Sequence, residues 1–205
     1  TSSGIASKLT PQQHGWGACS PWVLRWSHLV RPAGRVLDIA CGAGRHSLYF
    51  AAQGHEVTAV DRDETALAAL RARDADDASK AGTIHTVVAD LENEPWPFSQ
   101  SFDAIVMTNY LWRPLWPLLQ GALRPGGVLT METFALGQET IGKPSRPAFL
   151  LAPGESLQLA GSLRIVAFED GFEPPSDTYS AGRFVQRLVA TTAETPPPAL
   201  GRMSV

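Results

Sequence analysis

The chain has 205 residues, 44% hydrophobic and 18% charged, with a formal net charge of −3. That length and apolar fraction suffice for one domain with a full core, and they exclude a disordered chain. The slightly acidic balance carries no global signal for nucleic acid or an anionic membrane, and no apolar run approaches the ~18–20 residues that span a bilayer.

Two cysteines, Cys19 and Cys41, make neither a disulfide framework nor a zinc cluster. The expectation is a soluble, cytoplasmic protein. Thr1-Ser-Ser-Gly4 lacks an initiator Met and no signal-peptide pattern follows, so this stretch stands outside the fold argument. Residues 1–20 read as a partly flexible leader and residues 21–192 as the folded domain. Residues 193–205, which contain Pro196, Pro197 and Pro198, read as an extended Pro-rich tail.

Within the domain, short apolar strands alternate with helical stretches. Arg35–Ala40 is the first predicted strand, and Gly42 and Gly44 follow it. A helix is expected from about Arg45 to Gln53, with Leu48, Ala51 and Ala52 on its buried face. Gly54 suits a left-handed helix end. Glu56–Val60 is the second strand and ends at Asp61. Asp63 is a cap for a helix whose Ala66, Leu67 and Leu70 share a face. Ile84–Ala89 and Phe102–Met107 are strands three and four.

A helix from Pro114 to Leu123 is expected next, stopped by Arg124-Pro-Gly-Gly127. The fifth strand is Val128–Phe134. After a weak helix near Glu155–Ala160, Leu163–Phe168 and Arg183–Val189 read as strands. Only about 14 Pro- and Gly-rich residues separate them, which favours an antiparallel hairpin over a helical crossover. The expected fold is α/β: a Rossmann-like three-layer sandwich with five parallel strands and a closing C-terminal pair in a seven-stranded sheet.

The chemistry concentrates at strand ends. Glycines between a strand and a helix let the backbone approach a ligand beside the positive end of that helix. Asp61 lies about 20 residues beyond the glycine loop, where a carboxylate accepts ribose hydroxyls. Asp90, at the end of strand three, can accept from an adenine amino group. All these ends point to the edge where open α/β sheets bind ligands.

Dinucleotide binders want G-x-G-x-x-G, and here Ser47 holds the third position. Asp38, inside the preceding strand, would repel a pyrophosphate and suits a ligand ammonium. S-adenosylmethionine carries an ammonium and a sulfonium and no phosphate, so Asp38 favours it over NAD.

Asp38-x-Ala40-x-Gly42-x-Gly44, Asp61, Asp90-Leu91, Phe102-Asp103 and Leu123-Arg-Pro-Gly-Gly127 resemble the motifs of class I S-adenosylmethionine-dependent methyltransferases. The resemblance covers about residues 22 to 191. Cys41-Gly-Ala-Gly-Arg-His-Ser-Leu-Tyr-Phe50 is loosely similar to the small bacterial tellurite-resistance-type group. Ala40 departs from the glycine common in the superfamily.

The resemblance implies that Asp38 meets the methionine end, and that the backbone of Ala40, Cys41, Gly42 and Gly44 runs under the methionine and ribose. It further implies Asp61 on the ribose, Arg62 along the adenine, Asp90 and the Leu91 amide at the adenine edge, and Asn109 at the methionine portion. Tyr110 and Trp112, just past strand four, are candidates for the substrate pocket.

Several residues have plainer readings. His46 suits a pocket wall or cap better than a base, and Cys41 a small packing residue. The five histidines (His14, His28, His46, His55, His85) show no ligand spacing, so no metal site is expected. Trp16, Trp22 and Trp26 belong to a leader helix and its approach, with core packing as the default and a roof over the cofactor as the alternative.

No general base stands out. Methyl transfer runs on alignment and exclusion of water, so none is required. The 135–155 loop, with Lys143 and Arg146, is the substrate-side loop. The absence of a docking module favours a small-molecule acceptor. Two alternatives stay open: a non-catalytic S-adenosylmethionine-binding protein, and an NAD(P)-dependent oxidoreductase.

Overall fold

The computed structural model describes residues 18–77 and 80–192. His14, Trp16, most of the expected leader and the whole Pro-rich tail lie outside the described residues. Seven strands form one sheet: β1 (Arg35–Ile39), β2 (Glu56–Asp61), β3 (Thr83–Val88), β4 (Phe102–Thr108), β5 (Leu123–Phe134), β6 (Arg164–Glu173) and β7 (Arg183–Thr191). Their order is β3-β2-β1-β4-β5-β7-β6. The first five run parallel, and β7 inserts antiparallel between β5 and β6. The parallel core with a closing antiparallel pair is the expected fold.

Helices α1 (Pro21–Trp26), α2 (Arg45–Ala52), α3 (Glu64–Asp76), α4 (Trp116–Ala122) and α5 (Glu155–Leu159) flank the sheet. β1 and β4 bury side chains on both faces, almost all of them apolar, as strands covered by helices must. Val36, Leu37, Ile39, Ile105 and Met107 are all fully buried, and each such side chain contributes about 1.5–3 kcal/mol. Trp116, Leu115 and Leu119 seal one layer of this core, while Val23, Phe50 and Ala51 belong to another cluster.

Four local expectations differ from the structure. The buried face of α2 is His46, Ser47, Phe50 and Ala51, with Ala52 exposed and Leu48 half-buried. Two polar residues face inward because buried partners wait for them, as the next section describes. The expected Pro114–Leu123 helix divides into a 3-10 turn at Arg113–Leu115 and α4, and Leu123 already pairs with Phe102 as the start of β5. β6 extends to Glu173, so the hairpin turn occupies only residues 174–182. Finally, the leader is not separate at its end. Ser20 is buried, and its hydroxyl caps α1 through the Trp22 amide.

Trp22 and Trp26 stack edge to face and pack on Val128 and Val189. They are core residues, not a roof over the strand ends.

Candidate functional site

Parallel register brings the C-terminal ends of β1 to β5 to one edge: Ile39 pairs with Val60 and Met107, Asp61 with Val88, and Thr108 with Glu132. The sheet order reverses between β1 and β4, the point where open α/β sheets open a crevice. A cavity of about 380 Å³ occupies it, within the ~300–1,000 Å³ range of small-molecule sites.

Its wall takes Ala40 from β1, Val60, Asp61 and Arg62 from β2, and Ala89, Asp90, Leu91 and Glu92 from β3. Asn109, Tyr110 and Leu111 follow β4, and Thr133 and Phe134 close β5. Pro144 and Phe149 come from the 135–155 loop. Six expected residues (Ala40, Asp61, Arg62, Asp90, Leu91, Asn109) and Tyr110 therefore meet in one cavity. Trp112 does not: it packs against the main core. Asp38, Cys41, Gly42 and Gly44 are not part of the wall, and their connections to it are specific.

The loop after β1 is a tight turn. The Gly44 amide donates to the Cys41 carbonyl at 2.9 Å, and the Cys41 amide donates to Val60 at 3.0 Å. Gly44 sits at φ +75, and a Cβ there would fall 2.4 Å from Leu70 Cδ1 of α3. Gly42 sits at φ +53, and a Cβ there would meet nothing within 4 Å. Asp61 ties this loop down. Its Oδ2 accepts from the Gly42 amide at 2.8 Å and its Oδ1 from the Asp63 amide at 2.9 Å.

Ala40 and Asn109 both adopt left-handed backbone, at φ +49 and +54. Such a residue costs of order 1–3 kcal/mol unless its surroundings over-determine it. Both strained residues line the cavity.

Asp38 is buried, and its Oδ2 accepts from Ser47 Oγ at 2.6 Å. Burial pushes its pKa up to about 6, against the lowering effect of the Ser47 hydrogen bonds. A buried carboxylate held this way is stabilised by any cation brought near it. Burial likewise drives His46 down to about 3. The neutral ring accepts from the Ser20 amide through Nε2 at 3.3 Å, a structural contact outside the cavity wall. Burial raises the Cys41 thiol, which is consistent with packing and not with a nucleophile.

Asp90 makes an Asx turn. It accepts from the Glu92 amide at 3.0 Å and from Asn93 Nδ2 at 2.9 Å, and these bonds hold its carboxyl below the ordinary range. Burial, with Glu92 beside it, raises the Tyr110 phenol, which stays protonated.

The 135–155 loop is more ordered than its composition suggested. Leu136 and Leu151 donate to Leu151 and Phe134 carbonyls at 2.9 and 3.0 Å. Arg113 donates to the carbonyls of Ala148 and Leu150 at 2.9 and 3.0 Å, and pairs with Glu155 at 2.5 Å. Lys143 and Arg146 are exposed.

A buried ion cluster lies beside the site. Glu132 accepts from Ser20 Oγ at 3.0 Å, Arg187 Nε at 2.6 Å and Arg183 at 3.1 Å. Among the described residues, no group of three or more His, Cys, Asp or Glu could hold a metal ion. No helix among them is long and apolar enough to cross a membrane.

A family model described as a methyltransferase domain matches residues 36–127. The malonyl-[acyl-carrier protein] O-methyltransferase of Enterobacter lignolyticus is 33% identical over 179 residues, covering 79% of this chain and 67% of that protein. TehB from Haemophilus influenzae superposes with a TM-score of 0.68 at 20% identity, over 83% of this chain and 61% of that one. The glycopeptide N-methyltransferase MtfA complexed with S-adenosyl-L-homocysteine gives 0.56 at 20% identity, over 82% and 86%.

The chain belongs to the methyltransferases. The residues fit S-adenosylmethionine, the cofactor that the sequence resemblance implies: a row of carboxylates lies at one end of the cavity, and the buried Asp38 feels Arg45 only at a distance, with no ion pair among the described residues.

Proposed function

We propose that this chain methylates a small-molecule acceptor, with the cofactor lying across the ends of β1 to β4. The carrying observation is the division of one cavity into two chemistries. Asp61, Asp90 and Glu92 stand toward β2 and β3, while Tyr110, Phe134, Pro144 and Phe149 stand toward β4 and β5. The first half suits a nucleoside and the second an apolar or planar acceptor.

When bound, S-adenosylmethionine supplies a methyl carbon activated by a positively charged sulfur. In this reading Asp61 accepts the ribose hydroxyls through the lone pairs left by its two amide contacts. Arg62 lies along the adenine, and Asp90 and the Leu91 amide hold its edge. The backbone of Ala40, Cys41, Gly42 and Gly44 runs under the ligand, and the open space at Gly42 leaves room for it. Asp38 attracts the ammonium, and Asn109 meets the methionine portion.

Tyr110 presents an aromatic face, which attracts a sulfonium. Trp112, outside the wall, packs on the core cluster that contains Leu111 and not on the acceptor side. Among the described residues the wall holds no His, Lys or Cys, and in this reading its residues act by alignment and by excluding water. The folded unit proposed is residues 21–192, extended back to include Ser20.

The curated relative is named for O-methylation of a malonyl group on a carrier protein, and the apolar wall with Lys143 and Arg146 on its loop is compatible with an acceptor bearing an anion. The test is turnover. Release of S-adenosylhomocysteine from S-adenosylmethionine is measured across a panel of small carboxylates, thiols, phenols and amines. Acceptor-dependent release supports the reading, and binding without release from any of them makes the chain a sensor.

A further inference from the structure

The turn between β6 and β7 belongs to none of the motifs that mark the cofactor loops, yet it reaches the cavity. The side chain of Tyr179, half-buried in this turn, meets Asn109, Phe134 and Arg183. Its hydroxyl accepts from Asn109 Nδ2 at 3.2 Å. Its ring stands edge-on to Phe134, with centroids 6.1 Å apart. Its face carries the Arg183 guanidinium at 4.3 Å. Asn109 and Phe134 both line the cavity.

Arg183 is 3% exposed and is fixed by Glu132 at 3.1 Å and by Glu173. Glu132 closes the circuit, because its carbonyl accepts from the Asn109 amide at 2.8 Å. Asn109, Tyr179, Arg183 and Glu132 thus form a ring of contacts. It grips Asn109 at both its backbone and its side chain.

We propose that Tyr179 is a positioning residue for the amino-acid end of the cofactor. It acts by fixing the amide of Asn109. With Nδ2 committed to the Tyr179 hydroxyl, Oδ1 is the atom left to accept, and an ammonium is a donor. Without the hydroxyl, the amide turns freely and Oδ1 is no longer held toward the ammonium. The grip also explains how Asn109 keeps a left-handed backbone that its neighbours must over-determine. The proposal rests on the reading that the cavity holds S-adenosylmethionine with its methionine end near Asn109.

The test is a calorimetric comparison of two ligands. S-adenosylhomocysteine has the amino-acid end, and 5′-methylthioadenosine has the same nucleoside and thioether without it. Tyr179→Phe keeps the ring on Phe134 and Arg183 and removes only the hydroxyl. The expected result is a loss of about three- to tenfold for S-adenosylhomocysteine, the scale of one hydrogen bond, with 5′-methylthioadenosine unchanged. Asn109→Ala should lose at least as much, and the double variant no more than Asn109→Ala, because the two act as one unit.

Equal weakening of both ligands, or unchanged S-adenosylhomocysteine binding, overturns the role assigned to Tyr179. Failure of the unaltered protein to bind either ligand overturns the cofactor reading beneath it, and this proposal with it.

Discussion

Ser47 Oγ donates to Asp38 Oδ2 at 2.6 Å inside the protein, where the carboxylate is 1% exposed. The serine stands where a dinucleotide-binding loop would carry its third glycine, and here it contributes a hydroxyl to a buried acid. With Asp38 raised to about 6 from 3.8, the native state binds a proton that the unfolded chain releases. Stability without ligand therefore falls as pH rises from about 4 to 6 and stays low above it.

Asp38→Asn removes that dependence. The ligand-free variant should gain up to about 3 kcal/mol at pH 8 and nothing near pH 4, while its affinity for S-adenosylhomocysteine drops. Thermal melts at the two pH values check this. A variant less stable than wild type at pH 8 would contradict the account of Asp38.

The two loop glycines should separate in function. Gly44→Ala drives a methyl into Leu70 and forces left-handed alanine, which should destabilise the fold by about 2–4 kcal/mol. Gly42→Ala meets no protein atom, so it should cost only about 1 kcal/mol in stability and more in cofactor affinity. Denaturant melts alongside ligand titration distinguish the two. Similar stability losses for both would remove the assigned difference.

Ala40 at φ +49 is a site where glycine fits the backbone better. Ala40→Gly should stabilise by about 0.5–1 kcal/mol after the extra chain entropy of glycine is counted. A raised melting temperature supports this, and a lowered one would mean that the alanine methyl packs more than it strains.

Glu132 holds two guanidinium groups in a buried cluster. Glu132→Gln should cost about 1.5–3 kcal/mol, the scale of hydrogen bonds to charged groups, because Arg183 keeps Glu173 and Arg187 keeps Glu169 and Glu173, and added salt should rescue little because the site is shielded. A loss below about 1 kcal/mol would show that water reaches the cluster.

The sequence made some of this site legible and hid the rest for definable reasons. Asp61, Asp90 and the glycine loop announce themselves because each lies at the end of its own strand, and parallel register alone brings those ends together. Tyr110 and Trp112 looked equivalent by position, but the chain turns into a 3-10 segment at Arg113, and only Tyr110 reaches the cavity.

The buried face of α2 departs from the apolar periodicity because His46 and Ser47 are polar. Their burial follows from partners at Ser20 and Asp38, which periodicity does not reveal. The contacts of Tyr179 with Asn109 and of Arg183 and Arg187 with Glu132 left no local pattern, since those partners lie about 50–70 residues apart in sequence and meet only after the hairpin folds back along β5. Arg113 was silent for the same reason. Its targets at Ala148, Leu150 and Glu155 exist only once the 135–155 loop has closed.

The central claim is that the cavity at the ends of β1 to β4 binds S-adenosylmethionine through Asp61. Calorimetric titration with S-adenosylhomocysteine, with NADH in parallel, tests it most directly in wild type and Asp61→Ala. The account predicts micromolar binding of S-adenosylhomocysteine alone and a loss of ~1–3 kcal/mol in the variant. Binding of NADH alone, or S-adenosylhomocysteine affinity unchanged by Asp61→Ala, would contradict it.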